Sequence, residues 1–235
     1  PRRADIQGLR AVAVAVVVLF HADLGFSGGY VGVDVFFVVS GYVITRMLRR
    51  EQGASDTLRL GRFYLRRIRR LLPALALLLL VTALALPLLG PLDTQATSRR
   101  TAATAALFVS NLSLARGDFG YFAQDATANP FLHLWSLSVE EQFYLGFPLL
   151  MLVTWWVVRR WRAAVAALAG VLAVATAASF ALNLWLLSGR STFDPGYAAK
   201  LAFFLSPPRA WEFLAGALAA LVFVRCRRAT AEALS

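Results

Sequence analysis

The chain has 235 residues, of which 59% are hydrophobic and 16% are charged, and its formal net charge is +11. A single cysteine excludes a disulfide scaffold, and the apolar excess excludes a disordered or collagen-like chain. Soluble domains are typically about 45–50% apolar and about 25% charged, and a basic nucleic-acid-binding domain would not carry long charge-free apolar runs. The composition therefore predicts an all-α, polytopic integral membrane helix bundle with basic loops and no nucleic-acid partner.

Six apolar runs are long enough to cross a bilayer, which takes about 20 mostly apolar residues. A seventh run, 101–115, is short and contains Ser110 and Asn111, which predicts a re-entrant or interfacial segment. The first run is long and no small-residue cleavage site follows it, so we expect it to remain as a span rather than to act as a signal peptide. The predicted spans are 9–24, 30–48, 71–92, 134–158, 163–187 and 207–224.

The basic residues assign an orientation to these spans through the positive-inside rule. With the N-terminus in the cytoplasm and the 101–115 segment not crossing, 17 of the 24 lysine and arginine residues fall on the cytoplasmic side. They include nine arginines in the connection 46–70 and the clusters at 159–162 and 225–228. Residues 93–133 then form an extracytoplasmic region of a multi-pass protein of the inner (plasma) membrane.

Residues 57–72 have the pattern of an amphipathic helix lying at the cytoplasmic membrane surface. One interpretation is attraction to anionic lipid, worth about 1 kcal/mol for each basic residue near the surface. The other is a binding face for a polyanionic cytoplasmic ligand, such as the phosphates of a nucleotide or of coenzyme A. The two interpretations are compatible, and the pattern leaves both open. The basic face consists of Arg59, Arg62, Arg66, Arg69 and Arg70.

Ionisable residues inside predicted spans are costly unless they are paired or hydrated, so they indicate candidate functional groups. His21 follows Arg10 by eleven residues, which places both on one helical face about 16 Å apart along the axis. The alternative is an arginine that reaches the membrane surface and a histidine that bonds a neighbouring helix. Asp34, near the start of the second span, either favours the helix dipole or orients the imidazole of His21.

The segment 133–144 carries a further set of polar residues, beginning with His133. Ser138 and Glu141 have the spacing of a capping box, which predicts a structural role for Glu141. Glu140 and Tyr144 lie four residues apart, so a helix presents the carboxylate and the phenol on one face. With two histidines and one cysteine in the chain, no metal site is predicted.

Five blocks in order resemble the motifs of the membrane-bound acyltransferase family 3, which includes O-antigen O-acetylases. The family usually has about ten spans, so the resemblance implies that this chain is C-terminally truncated. It also implies transfer of an acyl group, usually acetyl from acetyl-CoA, to a hydroxyl of an extracytoplasmic acceptor, usually a carbohydrate. The blocks are 5–21 (DIQGLRAVAVAVVVLFH), 32–41 (GVDVFFVVSG), 62–73 (RFYLRRIRRLLP), 133–144 (HLWSLSVEEQFY) and 209–216 (RAWEFLAG).

The resemblance and the polar residues together suggest a mechanism in a single domain, 1–235. His21 acts as general base on the acceptor hydroxyl, or accepts the acyl group itself before passing it on. The imidazole is oriented by Glu140 or Asp34, and the thioester carbonyl is polarised by Tyr144 or Arg10. His133 completes the candidate catalytic set. The donor, acetyl-CoA or another acyl-CoA, is bound through its phosphates by Arg62, Arg66, Arg69 and Arg70.

Two other classes of function remain open from the residues alone. Intramembrane arginine and histidine residues also form substrate or proton paths in transporters, although such proteins often have internal repeats and none is visible here. A non-catalytic membrane scaffold is the third class. The predicted partners are acyl-CoA, an extracytoplasmic glycan and the lipid bilayer, and the sequence predicts no oligomeric state.

Overall fold

The computed structural model describes residues 3–22, 24–25, 27–55, 60–117, 129–158 and 164–233, with side chains omitted at 53–55, 158 and 223–233. Throughout this part of the chain the regular structure is helical. Arg59 and the predicted basic cluster at 159–162 lie outside the described residues, as do the side chains of the cluster at 225–228. The helices are α1 (Ala4–His21), α2 (Val31–Ser55), α3 (Leu60–Leu89), α4 (Gln95–Ala106), α5 (Ser110–Ala115), α6 (Leu134–Val158), α7 (Ala164–Leu187), α8 (Pro195–Phe204) and α9 (Ser206–Ala233).

Four of these helices are long and apolar enough to cross a membrane, which confirms the predicted class of helical membrane protein. They are α1, residues Val31–Gln52 of α2, α3 and α7. The predicted spans 134–158 and 207–224 fall on α6 and α9, which have 25 and 28 residues. At 1.5 Å per residue these helices are about 37 and 42 Å long, so their crossing of the bilayer stays a prediction compatible with their length.

The predicted single domain divides by its contacts into two compact units, each built from separate stretches of the chain. The first consists of Pro1–Leu58, Phe147–Phe180 and Ala210–Ser235, and the second of Arg59–Gly146 and Ala181–Arg209.

Glycines bring the helices of the first unit into close contact. A Cβ atom on Gly41 of α2 would lie 1.9 Å from the carbonyl oxygen of Phe213, and one on Gly216 of α9 would lie 1.9 Å from that of Val38. Beside them the rings of Phe37 and Phe213 stack with centroids 4.4 Å apart. Small residues permit this backbone approach, which is how helices gain packing energy in a lipid environment.

In the second unit, α4 and α6 both run antiparallel to α3, and they cover successive parts of it. The amide of Gln95 donates to the carbonyl of Leu86, and Ala105 shares a buried cluster with Leu75, so α4 descends along the C-terminal half of α3. Residues of α6 then pair with the N-terminal half. The pairs are Leu75 with Leu134, Arg67 with Glu141, and Tyr64 with Leu145.

This register changes the interpretation of the basic segment predicted at 57–72. Its described part, from Leu60, is the beginning of the 30-residue helix α3 and not a separate helix, while its position at the membrane surface stays a prediction. Pro73 removes one backbone donor, but a single missing hydrogen bond does not end a long membrane helix. Because Arg67 pairs with Glu141, the basic segment lies level with the first half of α6.

The polar run predicted at 101–115 forms the end of α4, a sharp turn and the short helix α5. Phe108 in this turn has a positive φ of 55°, a conformation that non-glycine residues rarely adopt. The amide of Gln142 donates to the carbonyl of Phe108 at 2.8 Å, and that of Asn111 donates to the carbonyl of Phe204 at 3.1 Å, where α8 ends. The side chains thus satisfy backbone groups that the helix breaks release, as buried irregular backbone requires.

Candidate functional site

His21 is the last residue of α1, and its ring is held by the helix that carries it. The Nδ1–H group donates to the carbonyl oxygen of Val17 at 2.8 Å. In a neutral imidazole this bond places the proton on Nδ1 and leaves Nε2 as the basic nitrogen. The side chain is exposed within the chain, so the ring is sterically open to a substrate.

The start of α2 lies beside the end of α1, which brings Asp34 into the region of His21. The rings of Phe20 and Tyr30 meet edge to face with centroids 5.7 Å apart. Asp34 follows one turn after Tyr30, in the first turn of α2, and is half-buried. That Asp34 lies level with His21 and orients its imidazole stays a prediction.

Arg10 lies three turns before His21 on the same continuous helix, so the two side chains share a face but remain about 16 Å apart along the axis. The Arg10 guanidinium carbon lies 5.0 Å from the ring centroid of Phe36 on α2. The structure therefore keeps Arg10 against an aromatic ring and does not bring it to the imidazole.

In the second unit, the residue that the sequence analysis missed is Arg67. Its Nε lies 2.9 and 2.7 Å from the two carboxylate oxygens of Glu141, its Nη2 also bonds that carboxylate, and Nη2 lies 3.8 Å from an oxygen of Glu140. The guanidinium carbon lies 3.4 Å from the ring centroid of Tyr144. We call Arg67, Glu140, Glu141 and Tyr144 the Arg67 cluster.

The capping role predicted for Glu141 is wrong. The helix begins four residues before Ser138, at Leu134, so Ser138 lies inside α6. Its hydroxyl donates back to the carbonyl of Leu134 at 3.1 Å and shares a hydrogen bond of 2.8 Å with Ser110. With no helix end to cap, the carboxylate of Glu141 is available to Arg67, 74 residues earlier in the chain.

Glu140 and Tyr144 lie on one face of α6, as their spacing predicts, and both are buried in the Arg67 cluster. His133 is exposed one residue before α6, and its carbonyl accepts from the hydroxyl of Ser136 at 3.1 Å. Within the described ranges, no group of three or more histidine, cysteine, aspartate and glutamate side chains could hold a metal ion.

Four arginines of α3 form an exposed basic face. At 100° per residue, Arg62, Arg66, Arg69 and Arg70 fall within an arc of about 100°, and Arg67 lies about 60° outside that arc. All four side chains are exposed, whereas the side chain of Arg67 is only 20% exposed. Guanidinium groups that share a face in this way can bind phosphates through paired hydrogen bonds. We call these four residues the arginine face.

The fold and these side chains define a class of polytopic membrane protein with an exposed histidine at the end of a helix and an exposed basic helical face. A family model described as an acyltransferase domain matches residues 3–234. The chain therefore belongs to the acyltransferase family 3, which confirms the resemblance that the five motifs carry.

Relatives of the chain carry related names. A "Putative peptidoglycan O-acetyltransferase" of Bacillus subtilis (strain 168) is 32% identical over 93% of this chain and 33% of its own length. The "Peptidoglycan O-acetyltransferase" of Listeria monocytogenes is 37% identical over 63% of this chain and 24% of its own length. A "Putative O-acetyltransferase" of Staphylococcus aureus (strain COL) is 40% identical over 62% of this chain and 24% of its own length.

The chain thus spans a quarter to a third of the length of the curated relatives it matches. No solved structure matches the chain.

Proposed function

We propose that the protein is a membrane O-acyltransferase that moves an acyl group from cytoplasmic acyl-CoA to a hydroxyl of an extracytoplasmic cell-envelope glycan. The acyl group we propose is acetyl. The observation that carries this proposal is the match of the acyltransferase family over residues 3–234. The names of two relatives, which describe them as peptidoglycan O-acetyltransferases, support a cell-wall glycan as the acceptor class.

His21 is the proposed general base. With the proton on Nδ1 and that group bonded to Val17, Nε2 can accept the proton of the acceptor hydroxyl. The hydroxyl oxygen forms the new C–O bond with the thioester carbonyl carbon. The C–S bond then breaks, and Nε2–H returns the proton to the leaving thiolate of coenzyme A. Histidine suits both steps because one ring nitrogen can accept a proton and then donate it.

The arginine face is the proposed site for the donor phosphates. Its four guanidinium groups extend over eight residues, or about 12 Å along the helix, so they match a ligand that carries several phosphates better than a single phosphomonoester. The orientation of the chain, with the N-terminus in the cytoplasm, is part of this proposal because it presents the arginine face to cytoplasmic acyl-CoA.

The remaining candidates have narrower proposed roles. Asp34, in the first turn of α2, orients the imidazole of His21. Arg10, about 16 Å from that residue along α1, contacts the donor on the path to the imidazole. Glu140 and Tyr144 contribute through Arg67, with which they are in contact. His133 stays in the candidate set as an exposed histidine before α6.

The test is the acetyl content of the envelope glycan in cells that carry the protein or its His21→Ala variant. We expect the variant to reach the membrane at the normal level and to lose about 10²-fold or more of the transfer, because a general base contributes at least that much. The variant Val18→Ala, one turn earlier on an exposed face of α1, is the matched control and should retain activity. Normal glycan acetylation by His21→Ala would contradict the assignment of the base.

A further inference from the structure

The contacts of Arg67 decide how the helix α3 is turned about its own axis. Arg67 is held on α6 by two hydrogen bonds of 2.7 and 2.9 Å to Glu141 and by the ring of Tyr144 beneath it. One turn earlier, the hydroxyl of Tyr64 donates to the carbonyl of Leu145 at 2.8 Å. These contacts lie on one side of α3, and the arginine face lies on another.

The buried apolar side chain in this part of α3 is that of Phe63, which is 5% exposed and whose ring stacks with that of Tyr144 at 6.4 Å between centroids. Leu65, Ile68 and Leu72 are 47%, 49% and 44% exposed, so these three side chains around the basic turns have little of the chain to pack against. Apolar side chains that face lipid do not favour one rotation of α3 about its axis over another, because lipid tails are as apolar as the side chains. A polar anchor with a defined direction therefore acts together with the buried ring of Phe63 in setting the rotation of α3.

The arginine face also opposes its own assembly. Arg62 and Arg66, and Arg66 and Arg70, are spaced four residues apart, and like charges at this spacing destabilise a helix by about 0.2–0.5 kcal/mol per pair. Arg67 adds a fifth positive charge to the same two turns. Glu141 neutralises it at direct contact, and the carboxylate of Glu140 lies 3.8 Å from it.

We propose that Glu141 is a positioning residue for the acyl donor: through Arg67 it sets the rotation of α3, so that Arg62, Arg66, Arg69 and Arg70 present one face to the donor phosphates. This inference rests on the proposed function, because it takes the arginine face to be the donor site. It predicts that loss of the carboxylate weakens donor binding although Glu141 itself touches no donor atom.

The experiment measures KM for acetyl-CoA and kcat in membrane vesicles that contain the protein. Glu141→Gln keeps the size of the side chain but removes the charge, and we expect it to raise KM about tenfold with kcat changed less than about twofold. Glu51→Gln, a carboxylate outside the Arg67 cluster, is the matched control and should leave both constants unchanged. A variant that fails to fold would lower the apparent kcat and leave KM alone, so the two constants separate positioning from loss of structure.

A charge reversal supplies the second arm. Arg67→Glu should raise KM as Glu141→Gln does, and the double variant Arg67→Glu with Glu141→Arg should restore KM to within about threefold, since the ion pair is rebuilt with opposite polarity. Arg66→Gln removes a proposed direct contact with the donor. It should raise KM both in the unchanged protein and in the charge-reversed double variant, because the rebuilt ion pair does not replace that contact.

The outcomes separate the two proposals. If neutralising the arginine face raises KM but Glu141→Gln does not, or if the double variant restores nothing, the positioning role is overturned and the donor site stands. If neutralising Arg62, Arg66, Arg69 and Arg70 leaves KM for acetyl-CoA unchanged, the donor site itself is overturned, and the positioning role with it.

Discussion

The ring of Tyr144 lies directly under the guanidinium of Arg67, at 3.4 Å from its carbon to the ring centroid. The contact is buried, because Tyr144 is 5% exposed and the side chain of Arg67 is 20% exposed. A buried cation–π interaction contributes about 2 kcal/mol. This interaction depends on the aromatic ring of the tyrosine and not on its hydroxyl group. The two parts of the tyrosine can therefore be tested separately.

We predict that Tyr144→Leu lowers the stability of the protein in detergent by about 1–2 kcal/mol more than Tyr144→Phe does, because no ring remains under the guanidinium. Thermal unfolding followed by intrinsic tryptophan fluorescence measures both. Equal stability of the two variants would show that the ring contact contributes nothing. Loss of acyl transfer by a fully stable Tyr144→Phe would assign a separate role to the hydroxyl.

Residue-scale expectations from the sequence were accurate where they depended on one helix. Arg10 and His21 share a face of α1, and Glu140 and Tyr144 share a face of α6, because the helical period determines both. The partner of Glu141 could not be found in this way, since Arg67 is 74 residues away and belongs to another helix. A useful signal was available in the periodicity, because Arg67 falls outside the arc of the other four arginines.

At the scale of elements, the pairing of α2 with α9 depends on two glycines that face each other's backbones. Gly41 and Gly216 have no room for a Cβ atom, since a carbonyl oxygen lies 1.9 Å from each ideal position. A methyl group there would push the helices apart and separate the stacked rings of Phe37 and Phe213.

We predict that Gly41→Ala or Gly216→Ala destabilises the protein by about 1–3 kcal/mol, the usual cost of overpacking a filled interior. The matched control is Gly170→Ala in α7, where no atom lies within 4 Å of the added Cβ. That change should be neutral or stabilise the protein by up to about 1 kcal/mol, because alanine favours a helix over glycine. Equal thermal stability of the Gly41 and Gly170 variants would contradict the close packing.

The break between α4 and α5 shows why element boundaries were harder to predict than element types. The 101–115 run has the composition of a helix, and the polar residues Ser110 and Asn111 gave the first sign that it does not cross as one. The break at Phe108 is supported by Gln142, which lies in another helix and donates to its carbonyl. The same applies to the continuation of α3 through Pro73, which local rules treat as a boundary.

At the scale of the whole molecule, the orientation in the membrane determines which side supplies the donor. The positive-inside distribution predicts that the connection after α2 lies in the cytoplasm and that those after α3 and α7 lie outside. Arg50 is exposed near the end of α2, and Leu92 and Arg190 are exposed in the connections after α3 and α7, so each can report on its side.

Single cysteines introduced into a Cys226→Ser variant can be labelled with a membrane-impermeant maleimide, and their reactivity reports the side of the membrane on which they lie. Leu92→Cys and Arg190→Cys should react in intact cells, and Arg50→Cys should react after the membrane is permeabilised. Reaction of Arg50→Cys in intact cells would place the N-terminal part of α3 outside and remove the proposed access of the arginine face to cytoplasmic acyl-CoA.

The central claim, transfer from cytoplasmic acyl-CoA that depends on His21, is tested most directly with inside-out membrane vesicles. Acetyl-labelled CoA is added to the exposed cytoplasmic face, and base-labile label is measured on a glycan acceptor enclosed in the vesicles. The account predicts incorporation by the protein and a loss of about 10²-fold or more with His21→Ala. Incorporation that is equal in the two, or absent with acetyl-CoA as the donor, would contradict it.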